Sequence, residues 1–165
     1  MAFEALVQTM QELNDIHDIL FELAEQKKQV LVRNDVPQLM QLVSKETKLV
    51  KQVGELDQRR IDTIGQFLIE KGYKPNPKVT VSDLTKIIFN PAEKKMLLDL
   101  QKQLIDTIRN LRESNRLNQQ LIEHSLAFID YSLDLIAGPP EDGVFYQNPQ
   151  QQQAPKRVGM FDTRA

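Results

Sequence analysis

The sequence has no cysteine, and its 165 residues include only two histidines. Without cysteine there is no disulfide, no thiolate ligand for a metal and no cysteine nucleophile. The six glycines are scattered, so no glycine-rich loop is available to hold a phosphate group. Charge of one sign is not in excess either, because 21 Lys and Arg stand against 23 Asp and Glu. The formal net charge of -2 argues against a protein whose affinity for nucleic acid rests on neutralising phosphates.

Long hydrophobic runs are missing as well. Residues Met1–Glu4 do not open a basic segment followed by an apolar run, which is the mark of a secretion signal. No stretch approaches the roughly 18 continuous apolar residues of a membrane-spanning helix. These absences predict a soluble cytoplasmic protein that does not insert into a membrane.

Helical periodicity is what the chain does contain. Seam residues in the first segment recur in alternating steps of four and three, the spacing of a coiled coil. They are Leu6, Met10, Leu13, His17, Leu20, Ala24, Lys27 and Leu31. A second row at Ile16, Leu23 and Val30 widens this stripe, so the helix is expected to touch more than one neighbour. The pattern predicts a first helix over about residues 3–33.

Capping signals follow directly. Asn34 and Asp35 offer side-chain oxygens for an N-cap, and Pro37 is tolerated in the first turn of a helix. A second helix over about 36–71 is therefore predicted, antiparallel to the first because the turn is short. Its predicted register contains Val36, Val43, Val50 and Ile64, flanked by Leu39, Val53, Leu56, Ile61, Phe67 and Leu68. Gly72 is placed to end this helix.

A proline-containing connector separates the second helix from the last. Ser82 is the predicted cap of a short helix over 82–89, and Asn90 with Pro91 signals the start of a helix over 91–137. Beyond Gly138 the composition changes to Pro, Gln and Gly, which predicts a flexible, disordered tail over 138–165. Together these elements predict an all-α fold with one domain over 1–137. Its expected form is an elongated antiparallel three-helix bundle, or coiled coil of long helices.

The last third of the final helix is apolar on more than one side. Since only two other long helices could cover it, one face is predicted to be an open groove or a dimer surface. No Lys or Arg occurs between Leu117 and Pro155, and the acidic residues of that stretch predict a preference for amphipathic partner helices that carry basic residues. The candidate partner-binding residues are Asn115, Asn118, Leu121, Ile122, Leu126, Ile129, Leu133 and Ile136. For Asn115 and Asn118 the alternative is a structural role in fixing helix register.

Neither histidine predicts chemistry. His17 occupies the seam of the first helix, where an edge histidine with a hydrogen bond is the simplest interpretation. The run 124–126, His-Ser-Leu, resembles the start of a histidine phosphotransfer signature, but Ala127 and Phe128 stand where that family typically has Lys and Gly. A histidine phosphotransfer protein is therefore a remote alternative. Because no constellation of base, nucleophile and oxyanion donors is evident, neither a catalytic nor a metal site is predicted, and the protein is not expected to be an enzyme.

Three segments resemble the FlgN family of flagellar export chaperones. They are the first helix ending in the turn Asn34–Pro37, a second helix with Glu46 and Asp57–Arg60, and a last helix with Asn115–Ile122. In the last of these, the family-like pattern Asn-x-x-Asn-x-x-Leu-Leu has Ile122 in place of its final leucine. The resemblance covers about residues 1–137 and implies a helical chaperone without a cofactor of its own.

The resemblance also implies the partners. Such a chaperone binds the C-terminal amphipathic segments of hook-filament junction proteins in the cytoplasm, prevents their premature association and releases them at the flagellar type III export gate and ATPase complex. Family members carry a tyrosine in a Tyr-Gly segment of the tail that is associated with docking onto the export gate. Tyr146 is the counterpart here, although Gln147 follows it in place of glycine. The alternative function is a structural coiled-coil scaffold that only homodimerises through the same surface.

Overall fold

The computed structural model describes residues 1–138, which contain four helices and no strand. α1 spans Ala2–Arg33, α2 spans Val36–Glu70, α3 spans Val81–Ile87 and α4 spans Pro91–Ala137. The all-α class predicted from the sequence is therefore confirmed. The chain divides into two compact units, Met1–Ser125 and Leu126–Ala165. Of the tail predicted over 138–165, all but Gly138 lies outside the described residues.

The turn between α1 and α2 is built by the residues that predicted it. Asn34 ends α1 in the left-handed conformation with a φ of 53°, which asparagine tolerates better than most residues. Asp35 caps α2, since its side chain accepts a hydrogen bond of 3.1 Å from the Gln38 backbone N–H. Pro37 lies in the first turn, where the missing N–H would have had no partner within the helix.

α1 and α2 pack as an antiparallel hairpin, as the short turn predicts. Glu12 pairs with Arg59 at 2.9 Å, and Lys27 pairs with Glu46 at 2.7 Å nearer the turn. A later residue of α1 therefore pairs with an earlier residue of α2, which shows that the two helices are antiparallel. This arrangement places one long apolar seam of each helix against the other.

The register predicted for α2 is wrong in its first half. Val36, Val43 and Val50 are exposed, although they were placed in that register with the buried Ile64. The buried and half-buried residues of α2 instead include a row in steps of three and four: Leu39, Leu42, Glu46, Leu49, Val53, Leu56, Arg60, Thr63 and Phe67. Two of these are charged, and each is in an ion pair, Glu46 with Lys27 and Arg60 with Asp57. The prediction named Leu39, Val53, Leu56 and Phe67 only as residues that flank the register, because apolar spacing alone skips the charged positions of this row.

α3 begins earlier than predicted, because the cap is Thr80 rather than Ser82. Thr80 and Asp83 form a capping box, in which the Asp83 N–H donates to Thr80 Oγ1 at 3.2 Å and the Thr80 N–H donates to Asp83 Oδ2 at 3.0 Å. The Ser82 hydroxyl instead accepts a hydrogen bond of 2.6 Å from a glutamine of α4. The helix ends at Ile87, so Phe89 lies beyond it and is exposed.

The other predicted helix ends are confirmed. Gly72, just beyond α2, has a φ of 79°, which glycine adopts without steric penalty. The Asn90 side chain accepts hydrogen bonds from the backbone N–H groups of Ala92 and Glu93 at 3.0 and 3.4 Å. Pro91 consequently occupies the first position of α4, where its lack of an N–H costs nothing.

The main hydrophobic core lies where α1 begins and α2 ends. Phe67 is fully buried there, and its ring centroid lies 6.2 Å from that of Phe3. α3 and the start of α4 close this core, whose buried members are Ala2, Leu6, Met10, Leu13, Ile64, Phe67, Leu68, Val81, Leu84, Ile88 and Leu97. A smaller cluster of Leu23, Val30 and Leu42 joins α1 and α2 nearer their turn. The four helices thus share one core at one end of the hairpin, whereas the apolar cluster nearer the turn is formed by α1 and α2.

Within the unit Met1–Ser125, α4 runs parallel to α1. Asn14 on α1 donates to the Leu100 carbonyl at 3.2 Å, and Asn118 on α4 donates to the Ala24 carbonyl at 2.8 Å. Later residues of one helix thus meet later residues of the other. Since α2 runs opposite to α1, the three long helices alternate in direction, as predicted for an antiparallel bundle.

Candidate partner-binding surface

The end of α4 carries a row of exposed aliphatic side chains. Leu126, Ile129, Leu133 and Ile136 recur in steps of three and four, so they share one face of the helix. Between 51% and 85% of each residue's surface is accessible. We call these four residues the terminal α4 surface. Large aliphatic residues that remain accessible in a continuous row mark an interaction surface more often than a solvated one.

A second apolar face lies roughly opposite on the same helical segment. It consists of Phe128, Tyr131 and Leu135, which are also spaced by three and four residues and are also exposed. We call it the opposite α4 face. At 3.6 residues per turn, the exposed carboxylates of Asp130 and Asp134 lie between the two faces. This segment therefore presents two apolar faces with an acidic edge between them, which agrees with the prediction that this part of the helix is apolar on more than one side.

The candidate residues of the unit Met1–Ser125 are less accessible. Leu121 and Ile122 are half-buried, as is Asn115, and Asn118 is buried. Asn118 is committed to the contact with α1, because its Nδ2 donates to the Ala24 carbonyl. This placement matches the alternative role of fixing helix register. A role for these four residues in partner binding stays a prediction.

Polar side chains line the contact between α1 and α4. The Ser114 hydroxyl donates to Glu25 at 2.8 Å, and the Thr107 hydroxyl donates to Asp18 at 3.2 Å. The hydrogen bond from Ser114, and then that from Lys28, lowers the pKa of the Glu25 carboxyl below its ordinary value. The sequence offered little signal for these pairs, because each partner is an ordinary surface residue type that lies about ninety positions from the other.

Neither histidine lies in a chemical constellation. His17 is half-buried, and its Nδ1 lies 2.6 Å from the Leu13 carbonyl one turn earlier, which fits the edge histidine predicted for the seam. His124 is exposed on α4. Within residues 1–138, no group of three or more His, Asp or Glu side chains is arranged to hold a metal ion. Tyr146, the candidate residue for export-gate docking, lies outside the described residues.

An open groove of about 530 Å³ runs between α1 and α2 on one side of the hairpin. Ile16, Ile19 and Leu56 form part of its floor, and the ion pair between Glu12 and Arg59 crosses it. The other charged residues of its lining are Asp15 and Glu55, and neither is in an ion pair within the described residues.

A bacterial protein resembles this chain along its whole length. No helix in the described part of the chain is both long and apolar enough to cross a membrane. No solved structure matches the chain. The chain is 27% identical over 167 residues to a protein of Bacillus subtilis (strain 168) named Uncharacterized protein YvyG, and the match covers 100% of each chain.

A family described as FlgN protein has a sequence model that matches residues 1–154. This match includes every helix of the structure and extends into the segment beyond α4. Since it covers most of the 165 residues, the chain belongs to the FlgN family, a family of flagellar export chaperones and not of enzymes.

Proposed function

We propose that this protein is a cytoplasmic chaperone of flagellar type III export that binds the C-terminal amphipathic helices of hook-filament junction proteins. The terminal α4 surface, Leu126, Ile129, Leu133 and Ile136, is the proposed binding site. The family supports the general role. The observation that carries the choice of site is the exposure of four aliphatic side chains in one helical row.

An amphipathic partner helix is the natural complement of such a row. Apolar residues of the partner, spaced by three and four, would bury the row and be buried by it, as in other helix-in-groove contacts. Each fully buried leucine or isoleucine side chain contributes about 1.5 to 3 kcal/mol. The same contact would hide the partner's own apolar face and so prevent its premature association.

The acidic residues beside the terminal α4 surface indicate which kind of partner helix would bind there. Asp130 and Asp134 border the terminal α4 surface, and Lys and Arg are absent between Leu117 and Pro155. A partner helix with lysine or arginine beside its apolar face would complement this edge. Because such contacts are accessible to solvent, we expect binding to weaken moderately as salt concentration rises.

The most direct test compares two leucines of the same helix. Leu133→Ala removes a side chain of the terminal α4 surface, and Leu135→Ala removes one of the same size from the opposite α4 face. Calorimetry with a synthetic C-terminal segment of a junction protein should show affinity reduced about tenfold or more for the first variant and little changed for the second. Equal effects of the two changes would contradict a face-specific site.

A polar substitution separates binding from folding. Ile129→Asp should reduce affinity further than an alanine change, because it places a charge in the proposed contact. Circular dichroism should show helix content and melting temperature preserved, since Ile129 is half exposed. Loss of helix content together with binding would identify the residue as part of the folded core instead.

Delivery to the export gate is proposed for Tyr146. Tyr146→Ala should leave the affinity for the junction-protein segment unchanged and reduce secretion of that protein in cells. Tyr146→Phe, which keeps the ring, is the matched control. Reduced affinity in vitro would instead assign Tyr146 to partner binding.

The alternative of a homodimeric scaffold makes a different prediction for the same surface. Light scattering of the chain alone and with the client segment separates the two. A stable dimer whose mass and composition do not change on addition of the segment would favour the scaffold. Formation of a mixed complex would favour the chaperone.

A further inference from the structure

The first half of α2 carries exposed apolar side chains that the hairpin does not use. Val36, Met40, Val43 and Val50 have between 39% and 61% of their surface accessible. Their spacing of four, three and seven residues places them on one face of the helix. We call these residues the α2 stripe. The row beside it, which includes Leu39, Leu42 and Leu49, is the one that joins the cluster with α1.

Thr47 fills the gap in the α2 stripe between Val43 and Val50. Its hydroxyl already donates a hydrogen bond of 2.9 Å to the Val43 carbonyl. A partner surface could therefore cover Thr47 without leaving its donor unsatisfied. The stripe is consequently continuous from Val36 to Val50, with the three-and-four spacing of a coiled-coil seam.

The edge of the α2 stripe that faces away from α1 carries basic residues. At 3.6 residues per turn, Lys51 lies beside the stripe and Lys48 lies further round the same side of the helix. Both are exposed, and neither is in an ion pair within the described residues. The acid of this stretch, Glu46, is already paired with Lys27 at 2.7 Å. A helix that covers the stripe would therefore be favoured if it carried carboxylates beside its own apolar face.

The chain itself contains a surface of that kind. The opposite α4 face presents Phe128, Tyr131 and Leu135 in steps of three and four. Asp130 and Asp134 run beside it, and neither Lys nor Arg occurs anywhere between Leu117 and Pro155. An apolar row with an acidic edge thus matches an apolar row with a basic edge, and both rows have the same spacing.

We propose that the α2 stripe is a self-association site that receives the opposite α4 face of a second copy of this chain. Each copy carries both surfaces, so the first product of this contact is a pair of copies. The terminal α4 surface, proposed above for client binding, takes no part in this contact.

Charge reversal tests the pairing directly on the full-length chain. Light scattering over a concentration series should show a monomer–dimer equilibrium. Lys48→Glu with Lys51→Glu should raise the dimer dissociation constant about tenfold or more, and Asp130→Lys with Asp134→Lys should do the same. A chain with all four changes should recover dimerisation, since the charges again complement each other. Lys94→Glu with Lys95→Glu, an exposed lysine pair on the first turns of α4, is the control and should have little effect.

The apolar part of the contact has its own variants. Val43→Asp on the α2 stripe and Tyr131→Asp on the opposite α4 face should each abolish the dimer while helix content is kept, because both side chains are exposed in the single chain. A chain that stays monomeric throughout the series overturns the proposal, and so does a four-change chain that dimerises no better than either reversed pair. Calorimetry of Val43→Asp with the client segment distinguishes the two proposals, because binding should be retained there even if the self-association site is wrong.

Discussion

At the scale of single residues, the α1–α4 contact rests on amide and hydroxyl groups as well as on apolar packing. Asn14 and Asn118 each donate to a backbone carbonyl of the opposite helix. Their Oδ1 atoms are buried without a hydrogen-bond partner in the described residues. A directional bond of this kind fixes how far one helix can slide along the other, which apolar contacts alone do not.

Asn118→Asp tests this role with a side chain of the same shape. The carboxylate cannot donate to the Ala24 carbonyl, and at neutral pH it would be a buried charge facing that oxygen. We expect the free energy of unfolding to fall by at least about 2 kcal/mol in urea denaturation. Asn110→Asp, an exposed position on the same helix, is the matched control and should change stability by no more than about 0.5 kcal/mol. Equal stability of the two variants would show that the Asn118 hydrogen bond does not hold the helices.

Asp83 should respond to acid because of its capping bonds. The hydrogen bond from the Thr80 hydroxyl, then the Thr80 backbone N–H and Lys86, lowers the pKa of Asp83 from 3.8 to about 2. A lowered pKa stabilises the folded state fully above 3.8, and this contribution is lost as the pH falls through about 2. An NMR titration should find the low midpoint in the native chain and a higher one in Thr80→Ala. A midpoint near 3.8 in both proteins would show that the capping bonds do not lower the pKa of Asp83.

At the scale of helices, the seam of α2 depends on which of two neighbouring rows faces α1. Leu42 is buried, whereas the adjacent Val43 is exposed. Both rows have apolar residues at intervals of three and four, so spacing alone does not distinguish them. The row with Leu42 is the one that packs against α1, and its charged member Glu46 forms an ion pair there with Lys27 of α1.

Two adjacent alanine substitutions test this assignment. Leu42→Ala should lower the free energy of unfolding by about 2 to 5 kcal/mol, because it leaves a cavity in the smaller cluster. Val43→Ala should change it by no more than about 0.5 kcal/mol. Thermal and urea unfolding of the two variants provide the measurement. A larger loss for Val43→Ala would restore the register that the sequence alone predicted.

At the scale of the whole molecule, packing is uneven along the helices of the unit Met1–Ser125. All four helices contribute to the main core around Phe67, whereas the smaller cluster around Leu42 joins α1 and α2. Buried apolar area is the main source of local stability, so the free energy of local opening should differ between the two regions.

Native-state hydrogen exchange should reveal this difference. Amides of 6–13 and 64–68, which flank the main core, should exchange most slowly. Amides of 39–50 should exchange faster, because one helix partner covers that part of α2. The segment 126–137, with its exposed side chains, should exchange fastest among the helices. Uniform protection along α1 and α2 would contradict an uneven core.

The sequence by itself determined the helices, because their signals are local. The 3.6-residue period, the Asn34–Pro37 turn, the cap at Asn90 and the proline at the start of α4 each act within a few residues. The same local pattern predicted an apolar end of α4, and the fold leaves that end exposed. The cap of α3 was predicted wrongly because threonine and serine are both good N-cap residues. Thr80 is the cap because Asp83, three positions later, completes a capping box with it.

The tertiary structure decided which helical faces are buried. The exposure of the α2 stripe and the burial of Asn118 both depend on neighbours about twenty to ninety residues away, such as Lys27 beside Glu46 and Ala24 beside Asn118. Whether a side chain is buried depends on the surface that packs against it, whereas the local sequence describes only the surface that carries the side chain. Helix positions can therefore be predicted from periodicity, but the pairing of faces requires knowledge of which charges and amides meet across the interface.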